Sequence, residues 1–181
     1  YRDPGQLTLL EAYESVFAYR QREYIEKHGF SGTGNLAVRR ATLARVGPFA
    51  GIDVAEDRDW GRRARALGLA IAYVPDAVIR HPARQHFSEL LEKWRRHTDH
   101  DYAEWQARGQ GRASWCLRAT AVALSAFVDG RRILVSPRLS GWRSRLLAQA
   151  ALTRVRLWRA RRMLTVAFAQ RQGTAAIGWN R

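Results

Sequence analysis

From position 108 onward the chain carries 15 arginines, no lysine and a single acid, Asp129. Such a stretch cannot neutralise itself through internal ion pairs. It must either keep its arginines in water or find negative partners elsewhere, so its foldable form is a helix with arginines outside an apolar stripe. The preceding 107 residues are balanced, with 16 Lys+Arg against 15 Asp+Glu, so the formal charge of +15 belongs to the tail. Two regions are expected, 1–107 and 108–181. Charge of this kind speaks to partners and solubility, not to fold. Only two lysines, Lys27 and Lys93, occur in the chain; a preference for arginine accounts for that but not for the missing acids.

A chain of 181 residues is enough for one domain with an appendage. It starts at Tyr1 without signal-peptide character, and is expected either to be cut from a longer protein or to lack its own start. The single cysteine, Cys116, has no intrachain partner for a disulfide, which suits a reducing compartment.

Apolar residues at helical spacing predict helices over 6–27, 39–45, 56–67, 87–105 and 141–170. Short apolar runs at 36–38, 70–74 and 77–79 predict strands, the last two separated by Pro75-Asp76. Residues 31–35 and 51–55 read as loops. Residues 113–128 are largely apolar with one charge, Arg118, and Asp129-Gly130-Arg131-Arg132 is expected to end the segment. It has 16 residues, where about 20 are needed to cross a bilayer. In 141–170, Trp142, Leu146, Ala150, Thr153, Leu157, Ala160, Leu164 and Phe168 fall on one arginine-free stripe.

The residues richest in chemistry lie between Gly32 and His81. Glu56 and Asp57 sit where a loop enters a helix, where backbone N–H groups hold carboxylates ionised. A carboxylate so placed can deprotonate a hydroxyl, although first-turn acids are also ordinary capping residues. Gly32-Thr33-Gly34 matches no phosphate-binding loop. Asp57-Arg58-Asp59 lies inside the helix and is not read as a metal motif. His97 and His100, three apart, could share a helix face and a metal, but meet no zinc spacing rule. Arg80, Arg84, Arg95 and Arg96 are candidates for a diphosphate or an anionic acceptor.

Gly34-Asn35-Leu36-Ala37-Val38-Arg39-Arg40, then Val46-Gly47-Pro48-Phe49, Glu56-Asp57-Arg58-Asp59-Trp60, Gly68, a short run ending in Pro75 and Arg80-His81 follow in order. Over about residues 28–100 the chain resembles family-2 glycosyltransferases. The resemblance implies an α/β chain, a partial GT-A (nucleotide-diphospho-sugar transferase) fold, here with a mainly helical basic extension. It implies transfer of a sugar from a nucleotide-sugar to a hydroxyl of a saccharide or lipid-linked acceptor, with inversion. By the same resemblance Asp57 is the catalytic base and Glu56 its neighbouring acid. Gly34 and Asn35 line the acceptor side, Trp60 stands beside the sugar, and His81 reaches the metal on the diphosphate. Asp57 is thus expected at the mouth of a hollow shared with Asn35 and His81.

The family's nucleotide-binding half, with its Asp-x-Asp motif, is not found. A magnesium or manganese ion is expected to be held mostly by that half, and the chain by itself is expected not to turn over. The Gln-x-x-Arg-Trp signature of processive synthases is also absent; Glu92-Lys93-Trp94-Arg95-Arg96 occupies the comparable region. A single-addition transferase, in the cytoplasm or at the inner face of the cell membrane, is therefore expected, with cell-envelope polysaccharide as its setting. Residues 113–170 have three readings: an anionic membrane surface, packing on the catalytic domain or a partner, or nucleic acid, for which no binding motif is present. The alternative from a different class is a non-catalytic basic adaptor.

Overall fold

The computed structural model describes residues 1, 3, 5–51 and 55–169. The expected loop at 51–55 and the end of the expected last helix therefore fall partly outside the described residues. Among the described residues seven α-helices run in chain order: α1 (Leu9–Phe17), α2 (Gln21–Glu23), α3 (Arg40–Val46), α4 (Glu56–Ala66), α5 (Phe87–Ala107), α6 (Arg112–Leu134) and α7 (Gly141–Ala169). A π-helical turn, Tyr24–His28, follows α2, and a 3-10 turn, Thr33–Asn35, precedes α3.

The chain divides into two compact units, residues 17–82 and residues 1–16 with 83 onward. The composition boundary at 107/108 falls in the turn between α5 and α6, inside the second of these.

In the larger unit α7 packs on both α6 and α5. Trp115 of α6, 1% exposed, sits in a cluster with Tyr102, Ala119, Met163 and Ala167. Its indole Nε1 donates to Met163 O at 2.9 Å, so the bulkiest core side chain also fixes the register between α6 and α7. Asp129-Gly130 does not end α6, as the sequence suggested. Gly130 is buried, and a Cβ there would stand 2.7 Å from Gln149 Oε1 of α7. The atoms a Cβ there would meet are the movable end of the Gln149 side chain, which donates to Ala126 O at 3.2 Å across the helix contact. Asp129 pairs with Arg156 of α7 at 2.5 Å. Arg145 donates to four carbonyls of the α6–α7 reversal, those of Leu134, Ser136, Leu139 and Gly141.

α1 opens on a reciprocal capping box: Thr8 N–H donates to Glu11 Oε2 at 2.8 Å, and Glu11 N–H to Thr8 Oγ1 at 3.3 Å. The expected single helix over 6–27 is broken. Tyr19 takes a positive φ of 48°, a conformation in which a helix cannot continue. Within the larger unit Tyr13 of α1 is buried among Trp94, Arg156 and Arg159, and burial raises its phenol pKa. Burial, with Arg156 nearby, lowers Arg159 to about 10, and its guanidinium lies 3.9 Å from the Trp94 ring centroid.

The smaller unit is built on α4. Val46, Trp60 and Ala64 form its core, with Leu36, Phe49 and Leu69 against them. Gly61 lets α4 meet the Gly29–Phe30 backbone: a Cβ there would come 2.5 Å from Phe30 Cβ and 2.9 Å from Gly29 O. The strands expected at 36–38, 70–74 and 77–79 are not formed among the described residues; these segments are irregular. Leu36 does have extended geometry (φ −118°, ψ 118°), but a strand is defined by a hydrogen-bonded neighbour, and none pairs with it. Val74, Val78 and Ile79 are exposed. No described helix is long and apolar enough to cross a membrane.

Candidate functional site

The smaller unit brings two of the sequence motifs into direct contact. Trp60 Nε1 of α4 donates to Gly47 O at 3.1 Å, and the Trp60 and Phe49 rings stack at 5.2 Å. Arg63, one turn further along α4, donates to Val46 O at 2.6 Å and Pro48 O at 2.7 Å. Its Nε is held by Asp59 at 2.9 Å. The Val46–Phe49 turn is thus clamped to α4 through three carbonyls that the turn itself leaves open. Gly47, at φ 89°, supplies the backbone conformation the turn requires.

This clamp separates the three acids of the first turn of α4. Asp59 is committed to Arg63. Asp57 is half-buried, and its Oδ1 accepts only the Arg58 N–H, at 2.8 Å, one of the helix-start amides left open by the α-helical pattern. Neither Glu56 nor Asp57 is in an ion pair among the described residues. In the Asp57-Arg58-Asp59 run the second acid is a brace for Arg63.

Beside the core lies a hollow of about 300 Å³, lined by Asn35, Leu36, Trp60, Ile71 and Tyr73 among others. Asn35 Nδ2 donates to Ala77 O at 3.0 Å, tying the 33–35 turn to the segment after Pro75. Trp60 presents an apolar wall there; it is 3% exposed, with its polar atom engaged elsewhere. Glu56, Asp57, Gly34 and His81 do not line this hollow. This hollow is therefore not the shared mouth expected for Asp57, Asn35 and His81. Gly34 is exposed, and a Cβ there would meet nothing within 4 Å, so nothing in the local packing calls for glycine.

His81 is exposed, its Nδ1 2.7 Å from Pro82 O and its ring 4.8 Å from that of Tyr19. Among the described residues no three His, Cys, Asp or Glu side chains converge as a metal site. Among the described residues neither His81 nor the pair His97 and His100 belongs to a group with enough donors to hold a divalent ion by itself. Two arginines considered for a diphosphate are otherwise engaged: Arg84 with Glu14, and Arg95 with Glu92 at 2.6 Å. Sequence reasoning missed Arg63. Its signal was the spacing of four from Asp59, the helical ion-pair distance.

Against known families, the model of glycosyl transferase family group 2 matches residues 8–169. The chain belongs to this family. The match runs through α6 and α7 as well as the motif-bearing unit. Glycosyltransferase AglE of Haloferax volcanii is 35% identical over 91 residues, which is 50% of this chain and 30% of AglE. The chain thus corresponds to under a third of that relative's length. No solved structure matches the chain.

Proposed function

We propose that the chain forms the acceptor-side, base-bearing part of an inverting glycosyltransferase, with Asp57 as general base. The observation that carries this is the contrast within the first turn of α4. Asp59 is consumed by Arg63, whereas Asp57, two residues away at the helix start, keeps one carboxylate oxygen without a partner among the described residues.

In the reaction the acceptor hydroxyl oxygen attacks the anomeric carbon of the donor. The bond from that carbon to the diphosphate oxygen breaks, and the nucleotide departs with the bonding electron pair. The hydroxyl proton passes to Asp57. One displacement inverts the anomeric centre. A base held at fixed geometry contributes both proton acceptance and alignment. Glu56 supports the acceptor beside Asp57. Asn35 and Trp60, which share the hollow, and Gly34, on the same turn as Asn35, form the acceptor side. A divalent metal, magnesium or manganese, is held chiefly by donors outside this sequence, with His81 as this chain's contribution. The segments 36–38 and 70–74 become strands where residues outside this sequence supply the neighbouring strands.

The test is Asp57→Asn in the whole enzyme that carries this chain. Sugar transfer should fall by about 10²–10⁴-fold, the usual worth of a general base, while nucleotide-sugar binding by calorimetry is retained. Transfer at the unsubstituted rate would overturn the assignment.

A further inference from the structure

α7 carries a packed face, which takes in Arg156 and Arg159, and an exposed apolar stripe beside it. On the packed face Ala148, Ala151, Leu152, Val155, Met163 and Ala167 are buried. The stripe is the one noted in the sequence, and its large members Trp142, Leu146, Leu157, Leu164 and Phe168 are all exposed. Packing on α5 and α6 thus reaches that stripe only at Ala160, which is buried, and leaves its large members uncovered. α6 repeats the pattern. Its inner side buries Trp115, Ala119, Ala126 and Ile133, while Leu117, Leu124 and Val128 are exposed on the opposite side. Leu134, Val135 and Trp142 flank the reversal at 135–140, with Val135 80% and Trp142 75% exposed.

The cations border this apolar surface. Arg131, Arg143 and Arg161 are exposed, and none has an acidic partner among the described residues. The hairpin's single acid, Asp129, is already paired with Arg156. At 100° per residue Arg143 and Arg161 fall beside the α7 stripe, not opposite it.

We propose that the outer face of the α6–α7 hairpin docks on an anionic lipid bilayer, lying in its interface without crossing it. A bilayer meets both halves of the surface: acyl chains take Leu, Phe and Trp, and headgroup phosphates take the guanidiniums. A second copy of the chain meets the apolar half but brings more unpaired arginines against these. Nucleic acid meets the arginines and leaves the large apolar side chains without a partner. Trp142 at the end of the stripe suits the boundary between headgroup and acyl chain. With 29 residues, α7 offers a docking line about 43 Å long at 1.5 Å per residue.

The experiment is co-sedimentation of the 181-residue chain with vesicles of phosphatidylcholine alone or with 30% phosphatidylglycerol. The chain should bind the anionic vesicles at least ten-fold more tightly. Leu146→Glu/Leu157→Glu/Leu164→Glu should lose that binding with helical content by circular dichroism unchanged. Should the triple variant unfold, Arg143→Gln/Arg161→Gln serves as the second test and should weaken binding to anionic vesicles alone. Asp57→Asn should sediment like the parent chain, so docking and catalysis fail separately. Absence of sedimentation overturns the proposal. So does unchanged sedimentation of the substituted chains, or a stable dimer that the triple variant converts to monomer.

Discussion

Asp57 and Asp59 are two residues apart in sequence and opposite in what surrounds them. Nothing in the order Glu-Asp-Arg-Asp distinguishes an acid that braces Arg63 from one with an oxygen to spare. The difference comes from the carbonyls of Val46 and Pro48, which recruit Arg63 and with it Asp59. The resemblance to a family could single out Asp57; the helix position alone could not. Gly34 and Gly61 form a similar pair. Gly61→Ala gains helix propensity of about 1 kcal/mol, yet forces a Cβ against the Gly29–Phe30 backbone, which cannot swing aside. A net loss of about 1–3 kcal/mol is expected, as for other overpacked sites. Gly34→Ala meets open space and should leave the melting temperature within a degree or so of the parent, since surface changes of this kind stay within about 0.5 kcal/mol. Thermal melts of the two variants check both expectations. Equal melting temperatures would mean that α4 is free to shift away from Phe30.

Among the elements, helices were legible in the sequence and strands were not. A helix closes its own hydrogen bonds, so α3, α4, α5 and α7 appear close to where apolar spacing puts them. A strand exists only with a neighbour, and the apolar runs at 36–38 and 70–74 find none among the described residues. α6 outran its expected stop: Gly130 lies buried inside it against Gln149 of α7, and a glycine that ends a helix looks the same in sequence as one within it. The break at Tyr19 was invisible for a related reason: the apolar spacing of 6–27 continues straight through it. The clamp between α4 and the Val46–Phe49 turn is testable at this scale. Arg63→Met keeps most of the side-chain volume and removes the donors to Val46 O and Pro48 O, leaving Asp59 unpaired. A loss of about 1–3 kcal/mol is expected in denaturant unfolding, and sugar transfer by the whole enzyme should fall with it, because the clamp holds the helix start that bears Asp57. A variant as stable as the parent would show that Trp60 alone holds the turn.

Across the whole molecule, the charge asymmetry was fully legible and its structural consequence only half so. The arginine-free stripe of α7 stays largely exposed, while the packed side takes in Arg156 and Arg159, which spacing alone could not foresee. The net charge of +15 is expected to lower stability through self-repulsion. With one acid among 15 arginines after position 107, repulsion within α6 and α7 outweighs ion pairing there. Screening should relieve it. The Debye length falls from about 30 Å at 0.01 M salt to about 10 Å at 0.1 M, so the melting temperature should rise as sodium chloride is raised over that range. A falling melting temperature would mean that pairs such as Arg162–Asp99, at 2.8 Å, dominate the electrostatics.

Arg145 gives the corner between α6 and α7 a stiffness the backbone there does not have. Four carbonyl oxygens within an eight-residue bend converge on one planar cation, a non-covalent staple across the arc. Tilting one arm of the corner must drag the other, so the pair moves as a lever and not as a hinge. Shortening that one side chain would loosen the joint while leaving every contact along the two arms in place.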